Sequence, residues 1–182
     1  MIKIISTVLA TLTLLADIIV VLAFIAWIVS RFKKLHFIEP LLAVIRKYAI
    51  ELLLVPPLLA TLGSLYFSEL AHWTPCKLCW FQRIMMYPQI ILLATALWRR
   101  SKEIIVYLIP LSAIGAVISA VHYTEQIRAR LAPLDPLAPC DASGISCAKS
   151  YAMYYDYITV PMMAFSAFLL ILMIALIARS KK

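Results

Sequence analysis

Pro75-Cys76-Lys77-Leu78-Cys79-Trp80-Phe81-Gln82-Arg83 sets two thiols with two residues between them, then opens without a break into an apolar run of helix length. A Cys-x-x-Cys pair at the mouth of such a run places sulfur chemistry at a membrane surface, provided the run has companion helices. It does. The chain is 64% hydrophobic and 14% charged, where a soluble domain carries about a quarter charged residues. At 182 residues and a mean hydropathy of +0.96, it has no room for a second sizeable domain beside its helices. The reading is an all-α polytopic membrane protein.

Outward from the dithiol, the apolar run Trp80–Trp98 is one span, with Pro88 as an expected kink. Ile104–His122 is the next, and Ile158–Ala178 the last. On the N-terminal side, Ala49–Ser68 is a span interrupted by Pro56-Pro57. These four make a bundle. Residues 4–30 form a fifth, additional span, too long for the short apolar core of a cleavable signal. Its one acid, Asp17, shares a helical face with Ser6 and Thr13, so that face packs against other helices. Residues 31–48, basic with apolar Leu41, Leu42, Val44 and Ile45, read as an interfacial helix. The domain reading is therefore 1–48 as an added helix with a basic segment, and 49–182 as the bundle, with a long outer loop at 123–157.

The net charge of +8 does not indicate nucleic acid, because the basic residues flank apolar runs and build no patch. They orient the bundle instead. Segments 31–47, 99–102 and 179–182 hold most of the 17 Lys and Arg, and they alternate correctly to share the cytoplasmic side. The C-terminus is then cytoplasmic and the N-terminus extracytoplasmic. All four cysteines face the oxidising side of the membrane. Four tyrosines in the outer loop, Tyr151, Tyr154, Tyr155 and Tyr157, are expected at the lipid–water boundary.

A close cysteine pair is a redox dithiol, half a metal site or a structural staple. Redox leads. A loop this short constrains the unfolded chain little, which weakens the staple. The wider spacing of Cys140 and Cys147 departs from zinc knuckles, so no metal is assigned. Cys79 at the start of a helix is placed to gain thiolate character from the dipole. A Cys140–Cys147 disulfide would close about eight residues, worth about 2.5 kcal/mol of loop entropy. Its Asp-Ala-Ser-Gly loop reads as mobile and water-exposed, open to another protein's thiolate. Arg83, one turn past Cys79, either snorkels or hydrogen-bonds a quinone carbonyl. His122, read as the outer end of its helix, is an interface residue or a donor to the same quinone.

The run Ala60–Glu69 (ATLGSLYFSE), followed by Thr74-Pro75-Cys76-x-x-Cys79-Trp80-Phe81-Gln82-Arg83-Ile84-x-Met86-Tyr87-Pro88, resembles the DsbB/BdbC family of disulfide bond formation proteins, closer to the BdbC branch. Ser119-Ala120-Val121-His122-Tyr123 and the loop cysteines followed by Ile158-Thr159-Val160-Pro161 are similar too. The resemblance covers about residues 49–182. It implies a bundle in the cytoplasmic (inner) membrane that reoxidises an extracytoplasmic thioredoxin-fold dithiol oxidase of the DsbA/BdbD kind. The electrons would pass to a membrane quinone, ubiquinone or menaquinone. It also implies residue roles: Cys140 takes the partner, Cys147 exchanges with Cys76, Cys79 delivers to quinone, and Arg83 and His122 lie at the quinone. Gln82 stands where some members have an acid, and residues 1–48 lie outside the pattern. Two other readings remain: a bundle of the vitamin K epoxide reductase type working in the opposite direction, and a non-enzymatic cysteine or zinc protein.

Overall fold

The computed structural model describes residues 2–32, 39–131 and 145–180. Among these residues six helices follow in order: α1 (Ile2–Phe32), α2 (Glu39–Lys47), α3 (Ala49–Leu65), α4 (Lys77–Arg99), α5 (Ile105–Leu131) and α6 (Val160–Arg179). There is no named strand among the described residues; one isolated bridge joins Tyr154 and Ile158. The chain is an all-α membrane protein.

Among the described residues, four segments are long and apolar enough to cross a bilayer: Ile2–Ala26, Ala49–Leu70, Ile105–Leu131 and Val160–Arg179. The fifth expected span, α4, has the length, since 23 residues rise about 35 Å. It falls short in apolarity because it carries Gln82, Arg83 and Gln89 among its apolar residues. Gln82 and Gln89 are buried inside the bundle, and Gln89 Oε1 accepts from Ser112 of α5 at 3.2 Å. Polarity that lowers the hydropathy of α4 is thus turned away from lipid, as a polar side chain in hydrocarbon requires.

α6 is the central element. It packs against α1, α2, α3, α4 and α5, and its Phe168 and Ile171 are fully buried with Leu53, Leu93 and Leu108. Its closest neighbour is α5. A Cβ on Gly115 would run into the Phe168 ring, so the bare glycine is what lets the two helices approach. α3 continues through Pro56 and Pro57, α4 through Pro88 and α5 through Pro110, with no break in helix assignment. α3 then ends in a π-helical turn, Tyr66–Leu70, and His72 takes a left-handed φ of 54° to redirect the chain toward α4.

At one end of the bundle three basic segments meet. Lys102 donates to the carbonyl of Arg46, and Arg46 Nε donates to the carbonyl of Ile177 at 3.4 Å. Of the expected interfacial helix at 31–48, α2 covers Glu39–Lys47, and residues 33–38 lie outside the described residues.

Two expectations are corrected at the other end. α5 does not stop at His122 but runs on to Leu131, so the first nine residues of the expected 123–157 loop are helix. The polar residues there stabilise it: Arg128 pairs with Glu125 at 3.4 Å, one turn apart, and Gln126 Nε2 donates to the Lys149 carbonyl at 3.1 Å. The tyrosines behave differently as well. The hydroxyls of Tyr154, Tyr155 and Tyr157, expected to be wet, bond α1 instead, at Ser6, Thr11 and Asp17 respectively.

Candidate functional site

Cys76 is the N-cap of α4 in extended backbone, and Cys79 sits three residues on, in the first helical turn. That spacing folds the two sulfurs back on one another at 3.5 Å. Both are free thiols. Cys76 is buried and Cys79 partly so.

His122 of α5 reaches into the same spot. It is 2% exposed, since α5 continues beyond it, which corrects the expectation of a histidine at a helix end. Gln82 Nε2, 3.0 Å away, donates to Nδ1. An imidazole that accepts at Nδ1 carries its proton on Nε2. That Nε2–H lies 3.1 Å from the carbonyl oxygen of Cys147 and 3.6 Å from Cys76 Sγ. One ring therefore connects the dithiol to the backbone of a cysteine from the second pair.

The hydrogen bond from the Cys79 thiol is the main cause that holds the Cys76 thiol low, down to about 4. Burial opposes this, and the hydrogen bond from His122 supports it. The sequence placed thiolate character on Cys79; the geometry puts it on Cys76, because Cys76 receives the donors. The sign follows directly. A thiol lowered from 9.0 to about 4 favours the folded state fully above pH 9, and that stabilisation fades as pH falls through the window down to 4. Alkylation of Cys76 in the reduced protein is expected to stay nearly level from pH 8 to about 5. An ordinary thiol loses about tenfold in rate per pH unit there. A tenfold-per-unit decline, measured by mass spectrometry of the labelled peptide, would remove the thiolate from the argument.

Cys147 is disulfide-bonded and 1% exposed; Cys140 lies outside the described residues. The expected water-exposed position therefore does not hold at Cys147. The segment after it is pinned: Trp73 stacks between Phe67 and Tyr151 at 4.6 and 5.2 Å. Tyr151 also donates to the Thr74 carbonyl at 3.2 Å.

Arg83 does not snorkel away. Its Nε donates to Ser64 Oγ at 3.0 Å, and a terminal nitrogen donates to the Ser64 carbonyl at 3.2 Å. Tyr87 also donates to Ser64 Oγ, and the guanidinium lies 5.0 Å from the Trp80 ring centre. A cavity of about 430 Å³ opens from Cys76, Cys79, Arg83 and His122 and runs inward between apolar residues of α1, α3 and α6. Such a space, with a charged donor and a dithiol at one end, suits an apolar ligand with a polar head. The ligand atoms of Cys76, Cys79 and His122 also lie within 4.8 Å of one another, a set that zinc would accept. A site built from all four cysteines is not available while Cys147 is oxidised.

Sequence reasoning missed Ser64, Tyr87 and Gln82 as parts of this site. Tyr87 lies one turn from Arg83 on the same face, a readable signal. Ser64 comes from a different helix and carries none.

The family described as "Disulfide bond formation protein DsbB" matches residues 46–178. Disulfide bond formation protein C of Bacillus subtilis (strain 168) is 39% identical over 128 residues, 70% of this chain and 90% of that protein. Probable disulfide formation protein C 2 of Bacillus anthracis is 33% identical over 141 residues, 78% of this chain and 97% of that protein. Probable disulfide formation protein C of Halalkalibacterium halodurans is 37% identical over 125 residues, 69% of this chain and 88% of that protein. No solved structure matches the chain.

Proposed function

Since the chain belongs to the DsbB family of disulfide bond formation proteins and is a membrane disulfide oxidoreductase, we propose that it reoxidises an extracytoplasmic thioredoxin-fold dithiol protein and delivers the electrons to a membrane quinone. The observation that carries this reading is the free Cys76/Cys79 pair at the mouth of an apolar cavity, joined through His122 to the backbone of the disulfide-bonded Cys147.

In this scheme the catalytic unit is residues 49–182, with the basic end of the bundle cytoplasmic and the dithiol end outside, in the cytoplasmic membrane. A partner thiolate attacks Cys140 and opens a Cys140–Cys147 disulfide. The partner's second thiol then releases the partner as a disulfide, leaving two reduced loop cysteines. The Cys147 thiolate attacks Cys76 of an oxidised Cys76–Cys79 pair, and Cys140 resolves the bond. The loop disulfide is restored, and the two electrons now sit on Cys76 and Cys79. A quinone held at Arg83 and His122 would supply the sink for the two electrons and two protons released as the Cys76–Cys79 disulfide reforms. Cys79 faces the cavity for that delivery, Cys76 is the thiolate kept ready by its donors, and Arg83 offers a fixed positive charge to oxygen that gains electrons. About 30 mV of potential difference corresponds to 1.4 kcal/mol for a two-electron couple, so an oxidised quinone pool drives the sequence outward to inward.

The test is quinone absorbance in detergent-purified protein given a reduced thioredoxin-fold dithiol protein. Quinone is expected to disappear in a 1:1 ratio with partner disulfide formed. Partner thiols that stay reduced, with zinc bound in stoichiometric amount, would replace this reading by a structural or metal-binding one.

A further inference from the structure

α1 lies outside residues 46–178, the stretch that the family matches, yet it forms one side of the cavity. Leu9, Leu12, Ala16 and Ile19 line it, at the three-to-four spacing that puts residues on one helical stripe. Facing them across the cavity are Val55, Pro56, Leu59 and Ala60 of α3. We propose that α1 completes the acceptor site as the wall that seats the isoprenoid tail of a long-chain quinone, so that this helix sets which tails the enzyme accepts. The proposal rests on the quinone reading above and adds a determinant to it.

Three observations support the assignment. The first is rotational. The neighbouring stripe of α1, carrying Ser6, Ala10 and Thr13, is buried. Hydrogen bonds that Ser6, Thr11 and Asp17 accept from Tyr154, Tyr155 and Tyr157 hold the outer half of the helix. With that side fixed, the Leu9–Ile19 stripe borders the cavity, while Ile4, Ile18 and Leu22 lie on another face of the helix and do not line it. The second is the closure at the outer end. Leu9 lies so near Gly63 that an added Cβ there would stand 2.9 Å from it. α1 thus meets α3 at the level of Ser64 and Arg83, and inward of that contact both helices contribute to one cavity. The third is length. Ten residues from Leu9 to Ile19 rise about 15 Å, half the thickness of the hydrocarbon core. The trough therefore leads from the dithiol toward the bilayer centre, which is the course of a tail whose head lies at Arg83.

The physics makes this a matter of selection more than of affinity. A quinone tail leaves hydrocarbon for a hydrocarbon-like wall, so the hydrophobic effect contributes little. What the wall contributes is shape: it admits a chain that fits the trough and excludes one that does not.

The experiment compares two quinones in nanodiscs of one lipid, one with a long isoprenoid tail and one with a short or absent tail, each titrated against reduced partner. Ala16→Trp fills the trough and is expected to raise the ratio of KM for the long-tailed quinone to KM for the short-tailed one about tenfold. Ile18→Trp, on a face that does not line the cavity, is expected to leave that ratio unchanged. Should Ala16→Trp fail to insert, Ile19→Trp, one turn further in, carries the same expectation. Wild-type protein that reduces both quinones, with the tryptophan variant unaltered or equally impaired toward both, overturns the role of α1 and leaves the quinone reading in place. Wild-type protein that reduces neither overturns both.

Discussion

Cys79→Ser is expected to lower quinone reduction by on the order of 10³-fold or more, because it removes one of the two atoms that must form a bond for electrons to leave the dithiol. The variant should still fold. Serine is smaller than cysteine by little, and its hydroxyl can still donate toward Cys76, whose sulfur lies 3.5 Å from that of Cys79. The loop pair is untouched, so a partner dithiol should still be captured. Without a Cys76–Cys79 disulfide for the Cys147 thiolate to attack, the loop pair cannot be restored once a partner has reduced it, so each protein should oxidise one equivalent of partner and stop. Measured together, lost quinone absorbance change and retained partner capture separate the two halves of the route. Wild-type turnover in Cys79→Ser would show that the Cys-x-x-Cys pair does not carry the electrons.

Arg83→Met is the second large effect, about 10²–10³-fold in kcat, the usual loss when one preorganised charged donor is withdrawn from developing negative charge. The geometry explains why so much is expected of one side chain. Arg83 is tied to the Ser64 hydroxyl and carbonyl and lies against Trp80, so its charge is fixed before any acceptor arrives and needs no reorganisation. Arg83→Lys keeps the charge but loses the planar fork that bonds Ser64 twice, and an intermediate rate is expected. Ser64→Ala should fall between wild type and lysine, since it removes one of the two ties. The measurement is steady-state quinone reduction at saturating partner. A methionine variant that keeps more than about a third of the wild-type kcat would mean the guanidinium only anchors the helix end.

How much of this could be read from the chain alone depends on the kind of force involved. Spans are set by apolar runs, and basic flanks by the number and place of Lys and Arg, so α1, α3 and α6 emerged close to their observed bounds. α5 did not. Glu125, Gln126, Arg128 and Arg130 look like loop residues if polarity is equated with loop, but a helix that leaves the bilayer becomes polar without unwinding. That error carried His122 to a helix end, when it is in fact buried two turns inside. α4 shows the converse, where buried Gln82 and Gln89 dilute a span that packs well within the bundle. The two thiols were legible from their spacing. Which of them is the thiolate was not, because that depends first on the direction of the hydrogen bond between the two sulfurs and then on His122, brought in from another helix by tertiary packing.

The bonds between α1 and the segment before α6 also impose an order on biogenesis. Ser6 and Tyr154 are 148 residues apart, so at roughly 5–20 residues per second the first helix waits roughly 7–30 s in the membrane for the last one. Ser6 and Thr13 pass that interval bonded to carbonyls of their own helix, at Ile2 and Leu9. Asp17 has no such internal recourse among the described bonds; its partner is the Tyr157 hydroxyl. α1 thus enters the bilayer 140 residues before the hydroxyl that satisfies its acid is made, and a chain truncated before Tyr157 leaves the membrane-insertion machinery holding an unpaired carboxyl group.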